Sequence, residues 1–230
     1  MSKRIVSLIR NHTKKELEWL ASNYCIHSMS FLEHPNCYFS NAQKDFPVKE
    51  KIGFLDIECS GLSADFSYIF SYAIKELDGD IIGRVLTPKE IRTFKFDENL
   101  TKELCYDLEK FDRIVVHYGT DYKFDLPFCR TRALKYGHEF PLYKSVYVED
   151  TYSMSKAKLR LSRNRLENIA TFFDIPNKQH KLQPSIWQKA LAGDKASLDY
   201  IWKHNIEDII TLHDVWKKLN AYINRGKRSI

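Results

Sequence analysis

The chain has 230 residues, 43% of them hydrophobic and 29% charged, which suits one domain with a sizeable core, or one with a small appendage, and excludes a disordered tail. No run of about 18 apolar residues occurs, so no membrane span is expected, and five scattered cysteines, an odd number, exclude a disulfide framework and suggest a reducing cytoplasm. The formal charge of +6 suits a polyanionic partner, although such a charge alone identifies none.

The basic N-terminus lacks the apolar core and cleavage site of a secretory signal. Thr13-Lys14-Lys15-Glu16 reads as a capping box, followed by Leu17, Leu20 and Tyr24 at helical spacing. A segment dense in Cys, His, Asn and Ser then runs to Phe46-Pro47-Val48, and residues 1–50 are read as an appendage with little apolar sequence for its own core. From Lys51 the pattern becomes that of a second unit, 51–230. A strand over 52–58 ends at Ser60-Gly61, and a second spans Phe66–Leu77 with Asp78-Gly79 as its hairpin turn. The third strand is either Ile81–Val85 or Arg92–Phe96. Asn99–Lys110 reads as helix, Arg113–Tyr118 as buried strand, Leu126–Tyr136 as helix stopped by Gly137, and Ser145–Asp150 as strand. Helices follow over Arg165–Phe173, near Ser185–Leu191, and from about Lys195 to Tyr222. Strands first, then strands and helices alternating, give an α/β domain with a mixed sheet and an antiparallel hairpin at its front.

Three acidic pieces carry the chemistry. In Asp56-Ile57-Glu58 both carboxylates emerge on one face of an otherwise apolar strand, where they repel each other and lose hydration. A divalent cation explains that placement, because carboxylate oxygens are the ligands Mg²⁺ and Mn²⁺ prefer; a frayed strand end in water is the alternative. Asp125, in Phe124-Asp125-Leu126-Pro127-Phe128, is either a second site carboxylate or simply a helix cap. His204 and Asp208 share one helix face with Tyr200 a turn back, which fits a site or an ordinary surface ladder.

In order and spacing these pieces resemble the DEDD 3′-5′ exonucleases of the RNase H-like superfamily, over Lys51 to about Leu219. The likeness is to stand-alone phage and prokaryotic enzymes and, next, to the proofreading domain of family B DNA polymerases. The motifs are Asp56-Ile57-Glu58-Cys59-Ser60-Gly61-Leu62, Phe124 to Phe128, and His204-Asn205-Ile206-Glu207-Asp208, with Leu166-x-x-Ile169-Ala170-x-x-Phe173-x-Ile175-Pro176-x-Lys178 between the last two. Thr120 stands where the second motif often has Asn, and His204 has the spacing usual for a tyrosine. The resemblance implies an RNase H-like mixed sheet flanked by helices. It also implies that Asp56, Glu58, Asp125 and Asp208 hold two Mg²⁺ or Mn²⁺ ions about 4 Å apart. One ion would lower the pKa of a water whose proton His204 helps remove, with Tyr200 the weaker candidate, and the other would stabilise the leaving 3′ oxygen. The implied products are nucleoside monophosphates, from DNA in preference to RNA, and the implied partners are a single strand or 3′ end and a DNA polymerase or other replication or repair protein. The rival readings are a structure-specific endonuclease and a non-catalytic nucleic-acid-binding accessory subunit.

Two further clusters stand outside the motifs. Lys156, Lys158, Arg160, Arg163 and Arg165, with no acid among them, form a candidate phosphate-tracking loop or helix end that Lys178, His180 and Lys181 extend; a solvated face is the alternative. Leu62 and Phe124 are candidates to wedge or stack against a terminal base. Cys25-x-His27 and His34-x-x-Cys37 offer four ligand types for a tetrahedral zinc, against buried thiols beside surface histidines.

Overall fold

The computed structural model describes residue 12 and residues 14–40, 50–142, 145–176 and 180–222. Two short helices come first, α1 (Lys14–Ser22) and α2 (Pro35–Ser40). A five-stranded sheet follows, with β1 (Ile52–Cys59), β2 (Ile69–Glu76), β3 (Ile81–Val85), β4 (Arg113–Val116) and β5 (Tyr147–Asp150) in the spatial order β3-β2-β1-β4-β5. β2 runs antiparallel to both β1 and β3, whereas β4 is parallel to β1 and to β5, so the sheet is mixed with the hairpin at one edge, as its element order predicts. Between and after the strands lie α3 (Pro88–Arg92), α4 (Glu98–Leu108), α5 (Asp125–Tyr136), α6 (Thr151–Lys158), α7 (Leu166–Phe172), α8 (Pro184–Leu191) and α9 (Lys195–Leu219).

Both faces of the sheet are covered, which is why β1 and β4 read as near-continuous apolar runs. Leu55 and Ile57 of β1 pack with Leu100 and Leu104 of α4 and Cys129 and Ala133 of α5. Ile52 and Phe54 point the other way, onto Leu212, Val215 and Trp216 of α9. Burying side chains of this size stabilises by about 1.5–3 kcal/mol each. Across the first core, Asp97 ties strand to helix: it accepts from the Ile69 amide at 2.9 Å, Arg132 Nε at 2.8 Å and the Tyr136 hydroxyl at 2.8 Å.

The third strand is Ile81–Val85. Arg92–Phe96 instead closes α3, whose Thr87–Glu90 capping box starts it, and Phe94 and Phe96 turn the chain with φ of 57° and 44°. Gly137 stops α5 in the left-handed region (φ 70°), as its sequence position suggests. The long last helix ends at Leu219 and a 3₁₀ turn, Asn220–Tyr222, completes it. Thr13 of the expected capping box and Phe46-Pro47-Val48 lie outside the described residues.

Candidate acidic metal centre

Strand alternation builds one wall of the site. Ile52 and Phe54 take the α9 side of β1, so Asp56 and Glu58 follow on the same side. β4 pairs with β1 only as far as Phe54↔Val115, while β2 continues alongside, pairing Asp56 with Ala73 and Glu58 with Ser71. The carboxyl half of β1 therefore loses its parallel neighbour where its acids begin, and an irregularity between Glu58 and Cys59 shifts the register before the last pair, Cys59↔Ile69. Such openings at the carboxyl ends of strands are where α/β folds place their ligands.

The second wall is α9. Its first turns pack Leu198 and Ile201 into one core and its last turns pack Leu212 to Leu219 into the other; between them Asn205 and Asp208 are buried. His204 Nε2 lies 3.5 Å from Glu58 Oε1 and 3.3 Å from Asp208 Oδ2. Its other ring nitrogen, Nδ1, meets the His180 carbonyl, which can only accept, so Nδ1 carries the proton and Nε2 is turned toward the carboxylates. Asn205 Nδ2 donates to Asp56 Oδ2 at 2.7 Å, and Asn205 Oδ1 accepts from the Ser71 hydroxyl at 3.1 Å. Asn205 thus fixes Asp56 from behind, a role that a motif reading of 204–208 passes over.

Asp125 closes the site as the first residue of α5. The loop before it folds back on itself: Phe124 donates to the Tyr118 carbonyl at 3.1 Å and Leu126 to that of Gly119 at 2.9 Å. Gly119 is required here, since a Cβ on it would stand 2.3 Å from Asp125 Oδ2. Burial, and then the charges of Asp150 and Asp208, push the Asp125 carboxyl up to about 8. The partly buried Cys59 thiol is raised well above its usual value by desolvation, by Cys129, and by Asp125, Glu58 and Asp56 together. Three of the four predicted carboxylates thus press on one sulfur, and the fourth, Asp208, presses on Asp125.

The donor set fits a hard divalent cation: carboxylate oxygens beside one imidazole, largely shielded from water. Glu58, His204 and Asp208 bring ligand atoms within 4.8 Å of one another. Asp125 feels the charge of Asp208, and Asp56 is tied to α9 through Asn205, so both are linked to this trio without belonging to it.

Further residues complete the surroundings. Asp150, missed as a cap, starts α6 by accepting from the amides of Tyr152 and Ser153 at 2.9 and 3.3 Å. It also accepts from the Tyr118 amide, Thr120 Oγ1 and Lys123 Nζ, and although burial opposes its charge, these partners, Lys123 foremost, hold its carboxyl below the usual range. Thr120 therefore anchors the loop through Asp150, and the Asp150-Thr151-x-Ser153 pattern is the signal that would have revealed α6. Tyr200 turns its hydroxyl to the Lys181 carbonyl at 3.2 Å, rather than to the carboxylates.

Lys156 and Lys158 lie on the last turn of α6, with Arg160, Arg163 and Arg165 in the segment leading to α7; all five are exposed, and none makes an ion pair among the described residues. Lys178 lies outside the described residues, while His180 is held by Glu207, with Nδ1 2.6 Å from Oε1. Leu62 is exposed beyond the end of β1, whereas Phe124 is partly buried against the core. Cys25, His27, His34 and Cys37 converge in the N-terminal segment.

A mixed sheet of this order, with an acidic opening at the end of its central strand, is an RNase H-like α/β fold. The chain belongs to the RNase_H superfamily: the family model of that description matches residues 53–220. Among solved structures, the family B DNA polymerase from the hyperthermophilic archaeon Pyrobaculum calidifontis is similar with a TM-score of 0.56 and 17% identity. That likeness covers 76% of this chain and 25% of the polymerase, and it speaks to the fold. No curated protein matches the chain. No helix among the described residues is long and apolar enough to cross a membrane.

Proposed function

We propose that this protein is a metal-dependent 3′-5′ exonuclease of DEDD type that hydrolyses nucleic-acid phosphodiesters, DNA in preference to RNA, to nucleoside monophosphates. The observation that carries the reading is the convergence of Glu58, His204 and Asp208, with buried Asp125 and Asn205-held Asp56 beside them. The superfamily supplies the phosphodiester chemistry, and the likeness of fold to part of a DNA polymerase supports a proofreading-type polarity.

Asp56, Glu58, Asp125 and Asp208 would hold two Mg²⁺ or Mn²⁺ ions. Bound there, such ions would supply Lewis-acid activation of water and offset the charge that builds on the phosphate. Before any ion binds, burial, and then the charges of Asp150 and Asp208, favour proton uptake at Asp125. His204 is suited to accept the proton of the attacking water at Nε2, because Nδ1 is committed to the His180 carbonyl. Glu58 and Asp208, 3.5 and 3.3 Å away, then stabilise the imidazolium that forms. The five exposed cations of 156–165 would follow the phosphate backbone toward this opening.

The test is a time course on 5′-labelled single-stranded DNA and RNA, with Mg²⁺, with Mn²⁺ and with EDTA, alongside Asp56→Ala. The expected result is a metal-dependent ladder shortening from the 3′ end, faster on DNA and absent in the variant. Internal cuts without a ladder would replace the reading with an endonuclease, and binding without hydrolysis under any metal would leave a recruitment module.

A further inference from the structure

The N-terminal segment holds a second metal-ligating cluster, chemically unlike the first. Its chain path is set by local hydrogen bonds: the Cys25 amide donates to the Met29 carbonyl at 2.9 Å and the Ser28 amide to the Cys25 carbonyl at 2.9 Å. Ser28 has a φ of 58°, so the chain doubles back tightly and carries Cys25 and His27 on one knuckle. His34 and Cys37 are brought in by the start of α2, where the His34 amide donates to the Ser30 carbonyl at 2.8 Å.

Two sulfurs and two imidazole nitrogens meet there. Cys25 Sγ lies 3.4 Å from His34 Nδ1 and 3.7 Å from His27 Nδ1, and Cys37 Sγ lies 3.3 Å from His27 Nδ1. A tetrahedral zinc with Zn–S of about 2.3 Å and Zn–N of about 2.05 Å requires S···N edges of about 3.5 Å. All four ligand atoms fall within 4.8 Å of one another.

The segment also needs such a centre. Its only fully buried hydrophobic side chains among the described residues are Leu20 and Tyr38, with Leu17, Trp19, Phe31 and Leu32 partly buried around them. Segments below about 40 residues with so little core are usually held by a metal or disulfides. Cys25 and Cys37 are free thiols here, and the two histidine rings are 4.9 Å apart at 81°, edge to face about a common centre.

We propose that Cys25, His27, His34 and Cys37 bind one structural zinc ion that holds the N-terminal segment in shape. With four protein ligands the site has no open position, so its role is to order the chain rather than to do chemistry.

The test uses the full chain as purified. Elemental analysis should find close to one zinc per chain, and less than a tenth of that in a Cys25→Ser/Cys37→Ser variant. Cobalt titrated into the metal-stripped wild-type chain should give the intense visible bands of a tetrahedral site with thiolate ligands, abolished by one equivalent of zinc. Stoichiometric zinc retained by the double variant, a weak octahedral cobalt spectrum, or a Cys25–Cys37 disulfide in the purified protein would each overturn the assignment. Should the double variant fail to fold, the wild-type cobalt spectrum decides alone. None of these readouts depends on nuclease activity.

Discussion

Replacing Asn205 with Ala tests how the acidic centre is held in place. The side chain is fully buried and spans two strands' worth of polar groups, donating to Asp56 Oδ2 at 2.7 Å and accepting from the Ser71 hydroxyl at 3.1 Å. A hydrogen bond to a charged acceptor contributes about 1.5–3 kcal/mol, and a neutral one about 1 kcal/mol. Losing both, with the Ser71 hydroxyl left buried, should cost the metal-free fold about 3 kcal/mol. The removal also frees Asp56 to rotate, and a displacement of about 1 Å at a reacting centre costs on the order of 10²-fold in rate. Urea unfolding should therefore show a lower midpoint with an unchanged slope, and single-turnover cleavage should slow by about that factor. Ser71→Ala is the control: it removes the neutral bond only, should cost about 1 kcal/mol, and should leave the rate within a few-fold. Loss of less than 1 kcal/mol together with near-wild-type cleavage by Asn205→Ala would show that Asp56 is not positioned by this contact.

The other expectations concern charge. Asp56→Ala and Asp208→Ala should abolish hydrolysis while circular dichroism and thermal melts show an intact fold; wild-type-like turnover by either purified variant would refute the assignment. Because the folded-state pKa of Asp125 is raised to about 8, its contribution to stability is present at low pH. It is lost as pH climbs from its unfolded value near 4 through 8, at up to about 1.4 kcal/mol per pH unit. In EDTA, Asp125→Asn should flatten that decline, as read by urea unfolding at a series of pH values. Arg132→Ala should cost about 3–5 kcal/mol, or roughly 10 °C in melting temperature, because it strands Asp97 uncompensated in the core. Arg160→Glu with Arg163→Glu should raise KM for single-stranded DNA and lower the salt slope of binding by about 1.4, with kcat unchanged at saturation.

The carboxylates were legible because they break an expectation set by their neighbours. Asp56 and Glu58 interrupt an apolar strand on the face that Phe54 buries, and Asp208 sits on a helix whose two ends are apolar. Such interruptions are costly in a core, which raises a ligand beside the frayed end or surface ladder, and the order and spacing of the motifs joined the pieces into one site. Asn205 and Asp150 stayed hidden for the opposite reason. A helical Asn reads as surface, and an Asp before Thr-x-Ser at a strand's end shows its value only once Tyr118, Thr120 and Lys123 fold back onto it. The choice between Ile81–Val85 and Arg92–Phe96 was undecidable from apolar content. It is settled by the positive φ of Phe94 and Phe96, which no β-propensity anticipates, and by Gly83, where a Cβ would stand 2.2 Å from the Tyr72 carbonyl oxygen.

The same asymmetry separates the two metal-ligating clusters. The acidic one is dictated by the main fold: β1 supplies two acids, the end of β4 leads to the third, and α9 crosses the opening to supply the fourth beside His204. Its carboxylates are brought together by the sheet and its helices, so losing an ion there should raise repulsion without dissolving the scaffold. Among the described residues, the buried core behind the Cys/His cluster is Leu20 and Tyr38 with their partly buried neighbours, and the Lys15–Asp112 ion pair and the bond from the Tyr147 hydroxyl to the His12 carbonyl tie the segment to the main domain. With so small a core, metal removal should loosen the N-terminal segment first while the sheet keeps its cooperative unfolding. Hydrogen exchange on the metal-stripped chain separates the two cases, with protection lost across 14–40 and retained across β1, β2 and α9.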